Sequence, residues 1–462
     1  MRILFVNPCL RLDAKRRYPP VGLACILTAC RKAGIEFDLF DMDALNLPPE
    51  GLRDFLKDKQ YDVCALGAIV SSFKLVKHLI THMREHNREC TIIAGNSVAS
   101  SVPEILLRNT EVDIGVMAEG DITIVDVLDA LRTGRSLSTV NGIAYLDGDT
   151  FVKTTARDAV KKLDDIGFPD WDLFDLKAYN PRLADPVEGE DNEVIFPLNA
   201  ARGCPYKCTF CYHVFIEERY RKYSETAVMN EIRRLHDQFG ATFIHFWDEL
   251  TFPSIPSVER MIFALDQLPF RVRWQGITRG DLFKPEHTDL VKRMKDAGCE
   301  SIAFSIENAN AEILKAMKKR INIEQIVGHT QALLRGGVTP FTSIIFGYPQ
   351  ETPESIKETL DLAERCGIFP SVGFLQPLPG TPMYEYAIEH GFITDQVEYL
   401  MNAGDRQDFH VNMTKMPTDE LIGRVMDGMQ ALATRMGLQF DNPLKTSVYQ
   451  KPKEQLLDVC LT

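Results

Sequence analysis

The sequence of 462 residues has no long apolar run, and this absence excludes the simplest membrane architecture. No stretch approaches the roughly 18 uninterrupted apolar residues that a spanning helix needs. The opening residues, MRILFVNPCL, are too short and too strand-like for a signal peptide. We therefore expect a cytoplasmic protein with no membrane span.

Positive charge is also scarce. The chain has 52 Lys and Arg against 65 Asp and Glu, which gives a formal net charge of −13. Binding to nucleic acid depends on concentrated Lys and Arg that neutralise phosphates, so this composition disfavours a nucleic-acid partner. One local basic run contains Lys315, Lys318, Lys319 and Arg320, and we expect it to be a solvated helix end.

The cysteines do not form the pattern of a secreted disulfide framework. There are eleven of them, an odd number, scattered through a long chain. A G-x-G-x-x-G motif is also missing after the first predicted strand, so a dinucleotide site has no support. The remaining composition, 45% hydrophobic and 25% charged, is typical of a globular protein with roughly two or three domains.

Residues 1–140 alternate β-rich runs with helical patterns, which predicts an α/β domain with a flavodoxin-like or Rossmann-like parallel sheet. The strand-like runs are RILFVN, FDLFDMD, DVCALGAIV, CTIIAG and DIGVMAEG. Ligands of such sheets lie beyond the carboxyl ends of the strands, so the following loops are candidate binding loops, although Gly, Asn and Ser also make plain turns. Residues 141–192 predict a hairpin and then an irregular linker.

A second series of strand-like runs and helical patterns begins near residue 193. Its six strand-like runs are EVIFPLNAA, TFIHFWD, FRVRWQGIT, SIAFSIE, TPFTSIIFG and SVGFLQPLP. A closed (β/α)8 barrel needs eight units, so residues 193–392 predict a partial, open (β/α)6 TIM-like barrel. Residues 393–462 predict a C-terminal helical region and tail, with apolar residues at helical spacing in PTDELIGRVMDGMQALATRMG.

Three cysteines, Cys204, Cys208 and Cys211, follow the first strand of the predicted barrel. Structural zinc usually takes four Cys or His ligands in two spaced pairs, and here His213 is the only fourth ligand close by. Iron–sulfur clusters are held by thiolates, and a cubane held by three of them has one iron open to another ligand. The spacing alone therefore leaves both a zinc site and an iron–sulfur cluster open.

The segment RGCPYKCTFC resembles the signature loop of the radical S-adenosylmethionine (radical SAM) superfamily. The resemblance implies that the three cysteines are catalytic and bind a 4Fe-4S cluster, whose fourth iron is chelated by S-adenosylmethionine (SAM). The segments HFWDEL, GITRGD, AFSIEN, IIFGYPQET and LQPLPGTPMY resemble the family's SAM-binding strand ends. The SAM-binding residues implied in this way are Phe210, Asp248, Glu249, Arg279, Ser305, Glu307, Gly347 and Gln376. Tyr212 and His213 adjoin the loop and are candidate substrate contacts.

The first half resembles the cobalamin-binding domain that precedes many such barrels, through YPPVGLACIL, GNSVASSVPEIL, VMAEGD and NGIAYLDGD. It departs from the usual pattern, because GNSVAS stands in place of Gly-Gly-x-His and the D-x-H-x-x-G segment that ligates cobalt is missing. The resemblance implies that Ser71, Ser72 or Phe73 faces the cobalt instead. The cobalamin-binding residues implied are Ser71, Ser72, Phe73, Gly95, Asn96, Ser97, Glu119 and Gly120.

The resemblance implies an enzyme that uses a 4Fe-4S cluster, SAM and cobalamin, and that removes hydrogen from an unactivated carbon through a 5′-deoxyadenosyl radical. Methylation of a carbon, or less often a phosphorus, of a small molecule is the expected reaction. The alternatives are cyclisation or rearrangement without methyl transfer, and a non-catalytic zinc protein. Thiomethylation of transfer RNA is disfavoured by the acidic composition. The implied protein partner is an external one-electron reductant of the flavodoxin or ferredoxin type.

Overall fold

A computed structural model describes residues 1–12, 14, 17–179, 193–212, 220–440 and 442–444. The predicted substrate contact His213 lies outside the described residues, as do most of the predicted linker and the end of the tail. The chain divides into two compact units. The first unit comprises Met1–Asn180, Leu378–Gly380 and Ile393–Asp405, and the second comprises Pro181–Pro377, Thr381–Phe392 and Arg406–Thr462.

The first unit is built on one sheet, whose described strands are β1 (Ile3–Asn7), β2 (Asp38–Asp41), β3 (Val63–Gly67), β4 (Thr91–Gly95), β5 (Ile114–Val116), β6 (Ile143–Asp147) and β7 (Thr150–Lys153). Their order is β2-β1-β3-β4-β5-β6-β7, with β1 to β5 parallel. Every residue of β1 is buried, as expected for a parallel strand covered on both faces. The predicted parallel sheet is therefore confirmed.

The hairpin β6–β7, which the alternation of strands and helices predicted as a separate element after the parallel sheet, extends this sheet. The strand β6 pairs antiparallel with β5, which would otherwise be an open edge. Helices connect the parallel strands and cover both faces of the sheet. Their bounds are α1 (Val21–Lys32), α2 (Glu50–Leu56), α3 (Phe73–His86), α4 (Asn96–Ser101), α5 (Pro103–Asn109) and α6 (Gly120–Thr133).

The second unit contains the strands β8 (Ile195–Leu198), β9 (Ala201–Arg202), β10 (Arg221–Lys222), β11 (Phe243–Phe246), β12 (Arg273–Ile277), β13 (Cys299–Glu307), β14 (Thr339–Phe346) and β15 (Ser371–Phe374). Within the described residues, six of them form a parallel sheet in the order β15-β14-β13-β12-β11-β8, and β9 and β10 form a separate antiparallel pair. The predicted partial barrel of six βα units is confirmed.

The remaining helices are α7 (Glu225–Phe239), α8 (Ile255–Leu265), α9 (Thr288–Asp296), α10 (Ala311–Ala316), α11 (Ile323–Arg335), α12 (Pro353–Arg365), α13 (Pro382–Glu389), α14 (Gln396–Asn402) and α15 (Thr418–Arg435). The helix α15 packs on α12 and buries Leu421, Val425 and Met429, as its apolar spacing predicts. The helix α14 belongs to the first unit, where Leu400 joins the hydrophobic core. Across the described part of the chain, helices with the length and apolar character needed to cross a bilayer are absent.

The backbone at Gly298, just before β13, passes close to the backbone at Val272, just before β12, and an alanine variant can test this approach. Gly298 has a φ of +98°, and a Cβ there would lie 2.2 Å from the carbonyl oxygen of Val272. Gly240, at the end of α7, has a φ of +71° and no atom within 4 Å of such a Cβ. Both alanine variants incur the cost of a left-handed backbone, about 1–2 kcal/mol. We expect Gly298→Ala to lose a further ~1–3 kcal/mol of unfolding free energy in urea denaturation. Equal losses would contradict the close approach.

Candidate active site

A cavity of about 310 Å³ in the second unit is lined by the cysteine loop and by the ends of β11 to β14. Parallel strands bring their carboxyl ends to one edge of a sheet, so residues far apart in sequence meet there. All three cysteines, Cys204, Cys208 and Cys211, line this cavity. Five of the predicted SAM-binding residues line it as well, namely Phe210, Glu249, Arg279, Ser305 and Glu307.

The cysteine loop is held against the opposite part of the barrel by Thr209. Its backbone N–H donates to the carbonyl of Met317 (3.0 Å), and its hydroxyl donates to the carbonyl of Ala316 (2.9 Å). Because that hydroxyl hydrogen is engaged, the hydroxyl of Tyr348 is the donor in its 3.0 Å contact with Thr209 Oγ1. The neighbouring Phe210 packs edge-to-face on Tyr348, with ring centroids 6.4 Å apart. The loop therefore has a fixed position between β8 and the end of β14.

The adjacent carboxylates Asp248 and Glu249 have different environments at the end of β11. Asp248 is 2% exposed and accepts a hydrogen bond from the backbone N–H of Ala201 (2.9 Å). Burial raises the pKa of Asp248 to about 7, and the hydrogen bond from Ala201 opposes this shift. Glu249 is exposed, lines the cavity and accepts from the backbone N–H of Gly203 (3.2 Å). Asp248 thus fixes the start of the cysteine loop, whereas Glu249 faces the cavity.

Two buried cations lie beside the cysteines. The guanidinium of Arg279 lies 3.8 Å from the ring centroid of Tyr206, and it donates to Asp281 Oδ1 (3.3 Å) and to the carbonyl of Lys319. Lys319 Nζ donates to Glu307 Oε1 (2.8 Å), and these two side chains are 7% and 4% exposed. The expectation that the basic run is a solvated helix end is wrong for Lys319. Its side chain is turned inward, where a buried carboxylate compensates its charge.

Two further lining residues, Ser343 and Arg406, were not found from the sequence. Ser343 Oγ lies 3.0 Å from Ser305 Oγ, because β14 pairs with β13 in register at these positions. Arg406 lies beyond the predicted barrel, yet its carbonyl accepts from the backbone N–H of Phe374 in β15 (2.8 Å). Its guanidinium donates to Ser371 Oγ (3.1 Å) and has no carboxylate partner among the described residues. The pairing of β13 with β14 would have indicated Ser343, as the partner of the predicted residue Ser305. No sequence signal indicates Arg406.

Some predicted site residues lie outside the lining of the cavity, within the part of the chain that the structure describes. These are Asp248, Gly347, Gln376 and Tyr212. Gly347 has a φ of +100°, and its N–H donates to Glu351 Oε2 (3.1 Å), which shapes the turn after β14. Gln376 and Tyr212 are half-buried. Their contacts with SAM or substrate stay predictions.

The donor set fits the predicted iron–sulfur cluster. Three thiols line one cavity, and a cubane held by three thiolates has one iron left for an external ligand. Burial raises the pKa of the Cys208 thiol, while the charges of Lys319 and Arg279 oppose this shift and favour the thiolate that iron requires. Among the described residues, no three His, Cys, Asp or Glu side chains converge as ligands of a single metal ion.

In the first unit, the predicted cobalamin-binding residues lie at the end of β4 and in the loops and helix starts that follow β3, β4 and β5. These loops are joined by hydrogen bonds at the carboxyl edge of the sheet. The backbone N–H of Val70 donates to Ser97 Oγ (2.8 Å), and the backbone N–H of Ala118 donates to Ser100 Oγ (2.9 Å). The φ of +65° at Asn96 allows α4 to begin directly after β4. The three loops therefore form one surface.

This surface fits a large, flat ligand. Gly67 and Gly95 are register partners at the ends of β3 and β4, so side chains are missing at this point of the edge. Large apolar side chains are exposed in the segments that follow β1, β2, β3 and β5, namely Leu10, Leu12, Leu45, Ile69 and, in the first turn of α6, Ile122. Because the carboxyl ends of parallel strands share one edge of the sheet, these segments leave from the same edge, where exposed apolar side chains are typical of a binding surface. Cobalamin, with its wide macrocycle, fits such a surface.

The predicted axial candidates differ in exposure. Ser71 and Ser72 are half-buried in the loop after β3, whereas Phe73 is fully buried in the hydrophobic core of the unit. Glu119 and Gly120 are half-buried at the start of α6. A Cβ on Gly120 would lie 2.7 Å from Ile26 Cδ1, so a side chain at this position would require Ile26 to shift. Ser71 and Ser72 are therefore the candidates at the surface of this loop.

Comparisons with known proteins match a different family to each half of the chain. Residues 198–363 match the family model of the Radical SAM superfamily, and residues 9–128 match that of the B12 binding domain. The chain is 26% identical over 402 residues to an uncharacterized methyltransferase of Pyrococcus horikoshii, which covers 85% of this chain and 84% of that protein. It is 27% identical over 412 residues to the anaerobic magnesium-protoporphyrin IX monomethyl ester cyclase of Cereibacter sphaeroides, covering 86% of this chain and 64% of that one.

The fold is similar to a solved structure of the radical SAM methyltransferase TsrM from Kitasatospora setae, which contains cobalamin and a 4Fe-4S cluster. The TM-score is 0.68, with 18% identity, over 93% of this chain and 90% of that chain. The two family matches confirm the predicted enzyme class and its three cofactors, the 4Fe-4S cluster, SAM and cobalamin, and the similar structure confirms the fold. The chain therefore contains a radical SAM region, residues 198–363, and a B12 binding region, residues 9–128.

Proposed function

We propose that this chain is a cobalamin-dependent radical SAM methyltransferase that methylates a carbon, or a phosphorus, of a small molecule. The observation that most supports this proposal is the cavity lined by three cysteines in a chain that also has a B12 binding domain. When bound, the cluster supplies the electron that cleaves SAM, and cobalamin supplies the methyl group. The protein residues hold these groups, orient the substrate and keep water away.

We assign distinct roles to the lining residues. Cys204, Cys208 and Cys211 hold the cluster, and the exposed carboxylate of Glu249 binds the ammonium group of SAM. Ser305 and Glu307 contact the ribose. Arg279 binds the SAM carboxylate and also supports the cysteine loop through Tyr206. The apolar part of the lining, Phe210, Leu250, Phe304 and Phe341, excludes water from reactive groups.

We also propose the setting in which the enzyme works. An electron donor of the flavodoxin or ferredoxin type reduces the cluster, and the net charge of −13 supports the expectation that nucleic acid is not a partner. A cytoplasmic location is supported by the cysteines, because those in the described residues form no disulfide with one another.

The second candidate function is cyclisation or rearrangement without methyl transfer. The identity of 27% to a cyclase, over 86% of this chain, favours it. The two reactions consume SAM differently. Methyl transfer leaves S-adenosylhomocysteine, whereas reductive cleavage alone leaves 5′-deoxyadenosine and methionine.

The products of SAM distinguish these functions. We expect the protein, reconstituted without oxygen with iron, sulfide, cobalamin and a chemical reductant, to form S-adenosylhomocysteine as well as 5′-deoxyadenosine. The measurement is chromatography with mass detection. Alanine at Cys204, Cys208 and Cys211 should abolish 5′-deoxyadenosine and remove the iron, while Cys25→Ala, a matched change on α1, should do neither. Formation of 5′-deoxyadenosine without S-adenosylhomocysteine would support cyclisation or rearrangement instead.

Variants of the buried pair Lys319 and Glu307 can distinguish an effect on folding from an effect on SAM binding. Lys319→Met leaves a buried carboxylate unpaired, and we expect it to lower the unfolding free energy by about 3–5 kcal/mol. Adding Glu307→Gln removes that charge and should restore most of the stability. If Glu307 contacts SAM, the double variant should fold and still bind SAM at least about tenfold more weakly in equilibrium dialysis. A stable double variant with unchanged SAM affinity would limit Glu307 to a structural role.

A further inference from the structure

Four exposed cations lie in the cysteine loop and in the segment 315–320 that is hydrogen-bonded to it. They are Lys207, Lys315, Lys318 and Arg320, and we call them the basic patch. Within the described residues, none of their side chains makes an ion pair or a hydrogen bond, so their charges are available to a partner. The chain has a net charge of −13, so a positive patch at this place is not a consequence of overall composition.

Hydrogen bonds place the basic patch beside the cluster site. Thr209 bonds to the carbonyls of Ala316 and Met317, which lie between Lys315 and Lys318 in the chain. Lys207 belongs to the same cysteine loop and directly precedes Cys208. The basic patch and the three thiols are thus parts of one packed segment of the second unit.

The backbone around Lys319 is strained in a way that creates the patch. Lys318 and Arg320 have φ values of +54° and +53°, a conformation that costs roughly 1–3 kcal/mol at a non-glycine residue. Their side chains are exposed, whereas Met317, Lys319 and Ile321 between and beside them are buried. Strain of this kind is typical of functional segments. Here it presents two cations to solvent while the cation between them lines the cavity.

We propose that the basic patch is the docking surface for an acidic one-electron donor protein. This inference rests on the proposed function, which requires that the cluster be reduced by one electron while the donor is oxidised by one. Complementary charge accelerates the encounter of two proteins and orients them, and electron-transfer complexes use small, transient interfaces. An acidic flavodoxin brought to the patch approaches the cluster through the cysteine loop.

Charge reversal tests the proposal directly. Lys318→Glu with Arg320→Glu should slow reduction of the cluster by reduced flavodoxin about tenfold or more at low ionic strength. The measurement is anaerobic stopped-flow absorbance of the reconstituted protein. The matched control is Arg293→Glu with Arg335→Glu, which makes the same change in net charge at exposed positions of α9 and α11. These helices lead into the amino ends of β13 and β14, away from the cysteine loop, so the control should retain the wild-type rate.

Photoreduced deazaflavin, a small uncharged reductant, needs no docking surface. It therefore distinguishes a loss of docking from damage to the cluster site. It should reduce both double variants and the wild type equally, with equal formation of 5′-deoxyadenosine. Lys207→Glu with Lys315→Glu repeats the test without altering the strained turn. This variant should also slow reduction of the cluster by flavodoxin, but not its reduction by deazaflavin. The proposal is overturned if flavodoxin reduces the patch variants at the wild-type rate, or if control and patch variants slow equally. Failure of the proposed function would instead appear as a lack of S-adenosylhomocysteine in every variant.

Discussion

The hydrogen bonds of Thr209 are the constraint on which the rest of the site depends. The three cysteines follow β8, at one edge of a sheet of six parallel strands. The loop is joined to the segments that follow β13 and β14 by a tether of hydrogen bonds. Thr209 supplies that tether through Ala316, Met317 and Tyr348. Its carbonyl also accepts from the backbone N–H of Met383, so α13 helps to fix the loop.

One short segment carries both buried and exposed cationic side chains. Residues 315–320 supply the buried Lys319, which compensates Glu307 within the cavity, and exposed cations on either side of it. Arg279 links this segment to the cysteine loop, because it contacts both Tyr206 and the carbonyl of Lys319. A displacement of the segment would therefore affect the cavity and the outer surface together. Thr209 and Arg279 couple the position of the thiols to the position of these charges.

The sequence predicted the strands and the cysteine site well, because both depend on local patterns. Alternating runs indicated the parallel strands of each unit. The spacing of Cys204, Cys208 and Cys211 indicated a metal site, and the resemblance of RGCPYKCTFC to the radical SAM loop indicated a cluster. Local patterns could not separate Asp248 from Glu249, since which of two neighbours faces the cavity depends on the end of β11 and its bond to Ala201. Arg406 reaches the cavity from outside the barrel, a placement that only tertiary structure shows.

Local patterns also could not predict which residues of the basic run are buried, or which residues of the first unit are exposed. A cluster of Lys and Arg predicts a solvated face, and only the left-handed turns at Lys318 and Arg320 bring Lys319 inward. In the first unit, the loops after the strands were identified from topology. Phe73 could not be distinguished from Ser71 and Ser72, because burial of the first residue of α3 depends on packing in the core.

The central claim is that three thiolates hold a cubane and leave one iron for SAM. The most direct measurement is electron paramagnetic resonance of the reduced protein with SAM whose amino nitrogen is isotopically labelled. The account predicts an altered cluster signal on addition of SAM, with hyperfine coupling to the labelled nitrogen. A cluster signal that SAM leaves unchanged, or a protein that binds zinc without iron and sulfide, would contradict it.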